Sequence, residues 1–177
     1  MNALTEEEIV IDSNVFQHLV SHDQRFNPDA HIAVLLRRLL ADDIRLCVDD
    51  GGRIAGEYER IVEPMLSESE ESIEREILRY WMLPDIRVDQ PVDNTGLLMN
   101  AIEQIIVEKK EKVDRTFLAV AFSRGKVLVT NDVEHILDGP DRERKLGPRR
   151  SRLMRATKKN RSAGAEILTS REAHERT

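Results

Sequence analysis

Cysteine is almost absent from this chain of 177 residues, which contains one, Cys47. A single cysteine excludes a disulfide framework, so the composition fits a reducing compartment such as the cytoplasm. The first segment, MNALTEEEIVID, has neither a basic patch nor a long apolar run, and we expect no signal peptide and no membrane span. A phosphate-binding P-loop is absent as well, because the Gly51-Gly52 pair is not followed by Lys-Ser or Lys-Thr.

Aromatic residues are also scarce, at 4% of the chain. Recognition of unstacked bases by aromatic stacking is therefore less favoured than contact with a phosphate backbone. Charge is plentiful but unevenly placed. Residues 1–138 contain 15 Lys and Arg against 28 Asp and Glu (−13), whereas residues 139–163 contain 10 against 2 (+8). The pattern predicts an acidic body with one basic segment.

Instead of long apolar runs, short apolar segments alternate with helical patterns. Residues 9–11 and 127–129 have the uninterrupted apolar character of buried strands, residues 44–48 are apolar apart from Arg45, and residues 165–169 resemble a short edge strand. Strands that alternate with helices favour a parallel sheet covered on both faces. We therefore predict one α/β domain, a three-layer α/β/α sandwich with a central, mainly parallel sheet.

The same pattern predicts the organisation of the domain. Residues 1–138 would form its core, residues 139–163 a basic insertion or arm, and residues 164–177 the closing strand and tail. The arm has few large apolar residues to bury, so we expect it to be mobile in isolation. Within the core, Ser67 and Glu70 resemble the capping box of a helix. That helix would carry Ile73, Ile77, Tyr80 and Trp81, of which Tyr80 and Trp81 are candidate core or interface residues.

One charged residue is out of place in a helical pattern. From Ile54 to Met65 the apolar residues recur at the spacing of one buried helix face, and Glu57 occupies a position on that face. A buried carboxylate costs on the order of several kcal/mol unless a cation meets it. The cation could be a metal ion or a buried arginine such as Arg115.

Three further acids stand at informative positions. Asp12 and Asp132 each follow an apolar strand, at the sheet edge where ligands bind in open parallel sheets. Asp114 begins a helix and shares a face with Phe117 and Leu118. Carboxylates gathered in one cleft repel one another, but Mg²⁺ or Mn²⁺ would stabilise them and supply an activated water to a phosphodiester. Plain structural roles stay open: a cap for Asp12, the helix dipole for Asp114 and a turn for Asp132.

Four segments, in chain order, give these acids a context: IVIDSNVF, IAGEYERIV, VDRTFLAVAFSRGKVLVTND and GAEILTSREA. Together they resemble the PIN domain family of metal-dependent nucleases, many of which are ribonuclease toxins of the VapC type. The resemblance spans most of the chain, and residues 114–132 are its most specific part. Relative to compact members, residues 139–163 look like an insertion and residues 67–96 look enlarged.

The resemblance implies roles for individual residues. The acidic site that would hold Mg²⁺ or Mn²⁺ and perform catalysis consists of Asp12, Glu57, Asp114 and Asp132. The polar residues that support this site in the family correspond to Ser13, Asn14, Thr130 and Asn131. Glu134 falls where some members keep a further acid.

The basic arm is predicted to bind nucleic acid, because an acidic catalytic body needs cationic surface to hold a polyanion. A solvated loop without a binding role is the alternative for this segment. The candidate phosphate contacts are Arg149, Arg150, Arg152, Arg155, Lys158, Lys159 and Arg161.

The sequence thus predicts a cytoplasmic nuclease that hydrolyses phosphodiester bonds. Its preferred substrate would be RNA, and it would have no membrane partner. An antitoxin or other protein partner and a second copy of the chain are further partners that the resemblance implies. Two other functions stay open. A haloacid-dehalogenase-like phosphatase also begins with an Asp after its first strand, although Asn14 stands where that fold has its second acid. A non-catalytic PIN-like interaction module is the other.

Overall fold

The short apolar segments of the chain form one parallel sheet. The structure, a computed structural model, describes residues 7–20, 30–67, 72–92, 96–106, 112–123, 126–132, 136–137, 148–159 and 165–177. In this part of the chain five strands make a single sheet flanked by helices, so the predicted three-layer α/β/α sandwich is confirmed. The strands are β1 (Glu8–Ile11), β2 (Arg45–Asp49), β3 (Arg87–Gln90), β4 (Val127–Val129) and β5 (Glu166–Leu168).

The strand order is β3-β2-β1-β4-β5, and every neighbouring pair is parallel. The central strands are the most apolar ones, because β1 and β4 are covered on both faces. Their register places Ile9 opposite Val127 and Ile11 opposite Val129, which brings the two strand ends to the same level. The last strand, β5, lies at an edge of the sheet, as predicted.

Eight α-helices and one short 3-10 helix (Pro84–Ile86) accompany the sheet in the described residues. The α-helices are α1 (Ser13–Val20), α2 (Ala30–Ala41), α3 (Arg53–Leu66), α4 (Ile73–Trp81), α5 (Leu97–Glu103), α6 (Lys112–Ser123), α7 (Pro148–Lys159) and α8 (Ser170–His174). α6 lies against β1, β2 and β4, which explains why residues 116–122 are all buried. None of these helices combines the length and the apolar character needed to cross a membrane.

The start of α4 differs from the prediction. Ser67 is not its cap but ends α3, where its hydroxyl donates to the Glu63 carbonyl at 3.0 Å. Ser72 caps α4 instead, by accepting a hydrogen bond from the Arg75 backbone N–H. The buried face of α4 runs through Ile77, Leu78 and Trp81. Ile73 and Tyr80 are 61% and 52% exposed and lie off this buried face. Ile73 opens the helix beyond the core layer, and Tyr80 is rotated about 100° from Trp81.

Part of the basic arm, residues 148–159, also differs from the prediction. Residues 148–159 form α7, which packs against α5 and β5 and buries Leu153 completely. Residues 148–159 therefore do not form a solvated loop. The buried side chain of Leu153 anchors this helix to the rest of the domain.

The lone cysteine is a core residue, as its apolar neighbours predicted. Burial, followed by the negative charge of Glu8, raises the pKa of the Cys47 thiol to about 12. The reactive thiolate is therefore scarce at neutral pH. We expect the native protein to resist iodoacetamide near pH 8 and the urea-unfolded protein to react, as followed by mass spectrometry. Rapid labelling of the native protein would contradict this environment.

Candidate functional site

The strand order reverses between β1 and β4. From β1 the chain passes to β2 and β3 on one side, then crosses to the other side of β1 for β4 and β5. In parallel α/β sheets a crevice forms outside the carboxyl ends of the strands at such a reversal. Here Asp12 follows β1, and Thr130, Asn131 and Asp132 follow β4. The Asp12 N–H donates to the Val129 carbonyl at 2.9 Å, so the two strand ends stay paired up to the crevice.

Asp12 is 3% exposed and is surrounded by hydrogen-bond donors. Its Oδ2 accepts from the Thr130 hydroxyl at 2.7 Å and from Asn14 Nδ2 at 2.9 Å. Its Oδ1 accepts from the Asn14 backbone N–H at 3.3 Å and from the Ser13 hydroxyl at 3.4 Å. The structure thus brings three of the four residues that were predicted to support the site into contact with Asp12.

These donors do not offset the burial of the carboxylate. Burial raises the pKa of Asp12 to about 6, from an ordinary value of 3.8. The hydrogen bonds from Thr130, Asn14 and Ser13 act in the opposite direction, and the negative charge of Asp132 adds to the rise. Asp12 and Asp132 are therefore close enough to repel each other, and a cation bound between them would relieve the repulsion.

Amide and hydroxyl side chains hold the strand ends together around the acids. Asn14 Oδ1 accepts from the Asn131 backbone N–H at 3.0 Å, and the Thr130 hydroxyl accepts from the Asp132 N–H at 3.0 Å. Asn131 Oδ1 in turn accepts from the Ser170 N–H at 3.0 Å. The ends of β1, β4 and β5 are thereby joined, and the position of Asp12 is fixed by three elements.

Sequence reasoning missed the far end of this network. Ser170, which follows β5, is buried, and its hydroxyl lies 2.9 Å from His31 Nε2 on α2. The signal was available, since Thr169-Ser170 follows the last strand just as Asp12 follows the first. Polar residues at the carboxyl ends of parallel strands meet at one edge of the sheet.

Glu57 forms an ion pair with Arg60, which lies one turn further along α3. Its side chain is 15% exposed, and both oxygens are bound by Arg60, at 2.7 Å from Nη2 and 3.1 Å from Nε. The guanidinium of Arg115 donates to the Ile106 carbonyl at 2.9 Å and lies 3.6 Å from Glu103. Arg60 is mostly exposed, so water screens much of this ion pair.

Asp114 lies in the first turn of α6, which begins two residues earlier, at Lys112. Its side chain is half-buried. Over the whole described part of the chain, no three His, Cys, Asp or Glu side chains are close enough together to hold a metal ion. The structure brings Asp12 and Asp132 together but does not gather the four acids into one group. The four-acid site therefore stays a prediction, and Glu134 lies outside the described residues.

Asp49 is a second buried acid at the carboxyl edge of the sheet. It ends β2, the strand next to β1, and is also 3% exposed. Its Oδ1 accepts from the Ile54 N–H at 2.7 Å and its Oδ2 from the Arg53 N–H at 3.0 Å. Both oxygens thus cap the first turn of α3. Asp49 is a structural counterpart to Asp12, at the same edge of the sheet.

The predicted phosphate contacts on α7 fall into different environments. Arg149 is buried, and Arg150 Nη1 binds both oxygens of Glu172 at 3.0 Å, so these two serve the fold. Arg152 and Arg155 are exposed and lie three residues apart, on the same side of the helix. Lys158 and Lys159 belong to α7 but their side chains are not described, and Arg161 lies outside the described residues.

Comparison of the chain with protein-family models, with curated proteins and with solved structures gives no match. The function is therefore inferred from this chain's own residues and geometry.

Proposed function

We propose that this protein is a nuclease of the PIN type that hydrolyses phosphodiester bonds of RNA with Mg²⁺ or Mn²⁺ in the cytoplasm. The observation that carries the proposal is the place of Asp12. It is a fully buried carboxylate at the reversal of a parallel sheet, beside Asp132, in a frame of side chains from both strand ends. A neutral residue would be less costly to bury there, and unlike Asp49 this acid does not use both oxygens to cap a helix, which supports a functional role for its charge.

The donor set of this crevice suits a hard divalent cation, because it offers carboxylate oxygens and no thiol. Asp12 and Asp132 would hold the ion, while Asn14 and Thr130 orient the Asp12 carboxylate through bonds of 2.9 and 2.7 Å. When bound, such an ion activates water and stabilises the leaving oxygen of a phosphodiester. Glu57 and Asp114 complete the set in the resemblance; for Glu57 to join, its oxygens would exchange Arg60 for the ion.

The exposed cations of α7 support a polyanionic substrate. Arg152 and Arg155 present their charges on one side of the helix, on a chain with a net charge of −6. A cationic stripe on an otherwise acidic protein directs a polyanion to one face. An antitoxin and a second copy of the chain are partners that the resemblance alone suggests.

The experiment that tests this function is cleavage of mixed RNA and single-stranded DNA with Mn²⁺, with excess chelator, and with Mn²⁺ restored. We expect RNA cleavage in the first and third conditions and at least about a hundredfold less with chelator, because the activated water depends on the ion. Cleavage that persists in chelator would overturn the metal-dependent mechanism.

A parallel assay separates the nuclease from the phosphatase alternative. Hydrolysis of p-nitrophenyl phosphate without cleavage of any nucleic acid would favour a phosphatase. Neither activity, together with no binding of Mn²⁺ in calorimetry, would favour a non-catalytic interaction module.

A further inference from the structure

A polar cavity lies between the first turns of α3 and α6 and the helix α5. It has a volume of about 180 Å³ and is lined by Arg53, Met99, Glu103, Lys112 and Arg115. None of these residues belongs to the basic arm or to the set of four acids. Three of the five are cationic and one is anionic, so the lining carries a net charge of +2.

The cavity is placed at the catalytic edge of the sheet by the helices that build it. Arg53 is the first residue of α3, which begins just beyond the carboxyl end of β2. Lys112 and Arg115 lie in the first turn of α6, which packs against α3 and runs back toward the start of β4. In a parallel sheet, helices that precede a strand begin at the carboxyl edge.

Two of the predicted acids lie on helices that line this cavity. Glu57 lies one turn beyond Arg53 on the same face of α3, and Asp114 lies in the same turn of α6 as Lys112 and Arg115. None of the four predicted acids lines the cavity, so it is distinct from the Asp12–Asp132 pair.

Of the three cations that line the cavity, Arg115 has partners in the fold. Arg115 is oriented by the Ile106 carbonyl at 2.9 Å and by Glu103 at 3.6 Å, with its side chain 12% exposed. Arg53 and Lys112 are exposed, and within the described residues their side chains form no ion pair. The first N–H groups of α3 are already used by Asp49, so the side chains, not the helix terminus, make this cavity electropositive.

We propose that the cavity binds a backbone phosphate of a single-stranded nucleic acid, next to the phosphate that is cleaved. Arginine and lysine side chains supply charge-assisted hydrogen bonds to phosphate oxygens. This inference rests on the proposed nuclease function and narrows the substrate class: the ligand is a polynucleotide and not a small phosphoester. Contacts of this kind position the chain without reading its bases.

Binding of a short fluorescent single-stranded RNA, measured by anisotropy in excess chelator, tests the proposal without cleavage. The variant Arg53→Gln/Lys112→Gln is expected to lose affinity roughly tenfold or more, equally for RNA and for single-stranded DNA. The slope of log K against log salt should also fall by about 0.7 for each phosphate that the variant no longer neutralises. The matched control, Arg37→Gln/Arg38→Gln, removes two exposed charges of α2 that do not line the cavity, and its affinity should stay within about twofold.

Equal affinity of the cavity variant and the unmodified protein overturns the proposal, and so does an equal loss in the control variant. The proposal also falls if the unmodified protein binds neither nucleic acid. If the cavity variant binds weakly but the unmodified protein cleaves nothing with Mn²⁺, the phosphate site stands and the nuclease function falls. Thermal melts of both variants identify any loss of RNA affinity that comes from unfolding. If the double variant is unfolded, the single variant Lys112→Gln is tested in its place.

Discussion

The Asp12→Asn variant should lose nuclease activity by at least about a hundredfold and yet be more stable than the unmodified protein at pH 7.5. The loss follows because asparagine offers the ion a single neutral oxygen in place of a carboxylate. The gain follows from the environment of the side chain, since burial makes its ionised form unfavourable. Loss of function through misfolding would instead lower stability, so the two measurements together identify the cause.

The sign of the stability change is set by the two pKa values. The pKa of Asp12 is about 6 in the folded protein, against 3.8 for the ordinary side chain. A group whose folded pKa is raised stabilises the fold fully below the unfolded pKa, and this contribution is lost as the pH rises through the folded pKa. At pH 7.5 the unmodified protein has therefore lost about 3 kcal/mol, at 1.36 kcal/mol per pKa unit.

Asparagine recovers most of this loss because it is neutral at every pH. Its oxygen can accept the bonds from Thr130 and Asn14 Nδ2, while its amide group meets the Asn14 backbone N–H. We therefore expect a net gain of about 2 kcal/mol and a melting temperature about 4–8 °C higher at pH 7.5. The gain should shrink between about pH 6 and pH 4, and below pH 4 the variant should be about 1 kcal/mol less stable than the unmodified protein, as followed by thermal or urea unfolding.

Asp49→Asn is the matched control, because Asp49 is equally buried at the end of the neighbouring strand. Both of its oxygens accept backbone N–H bonds from α3, and asparagine can replace only one of them. This variant should lose about 1–3 kcal/mol at pH 7.5. A loss of similar size in Asp12→Asn would show that Asp12 is an ordinary cap and would remove the basis of the functional assignment.

The fold was predictable from the sequence because its central strands are apolar without interruption. Residues 9–11 and 127–129 are covered on both faces, so burial alone determines their character. The closeness of Asp12 and Asp132 followed from the same argument, since the carboxyl ends of neighbouring parallel strands meet. The start of α4 was not predictable, because Ser67 and Ser72 are equally good caps locally and packing of Trp81 selects the second.

The hydrogen-bond and ion-pair partners of the site's side chains could not be predicted from the sequence. The apolar spacing marked Glu57 as a charge in need of a cation, but Arg60 is on the solvent side of the helix by the same spacing. Its long side chain reaches back over one turn to bind both oxygens of Glu57. The basic arm has few large apolar residues, and its composition did not indicate that Leu153 alone would anchor α7 to the sheet.

Manganese should raise the melting temperature of the unmodified protein and leave that of Asp12→Asn unchanged. An ion that binds only the folded protein stabilises it by about 2.7 kcal/mol at a hundredfold excess over its dissociation constant. For a protein of this length that corresponds to a shift of roughly 5–10 °C. Thermal melts with increasing Mn²⁺, with Ca²⁺ as a larger cation for comparison, measure the effect.

The pH dependence of this shift assigns it to Asp12. Protons and the ion compete for the carboxylate, so affinity for Mn²⁺ should fall by about tenfold for each pH unit below 6, where Asp12 takes up its proton. Asp50→Asn, which alters an exposed acid beyond β2, is the control and should keep the full shift. An equal response of Asp12→Asn to Mn²⁺ would place the ion elsewhere on this acidic protein. A shift that appears only in the unmodified protein and the Asp50→Asn control, and that weakens below pH 6, identifies Asp12 as the ligand that holds the ion at the end of β1.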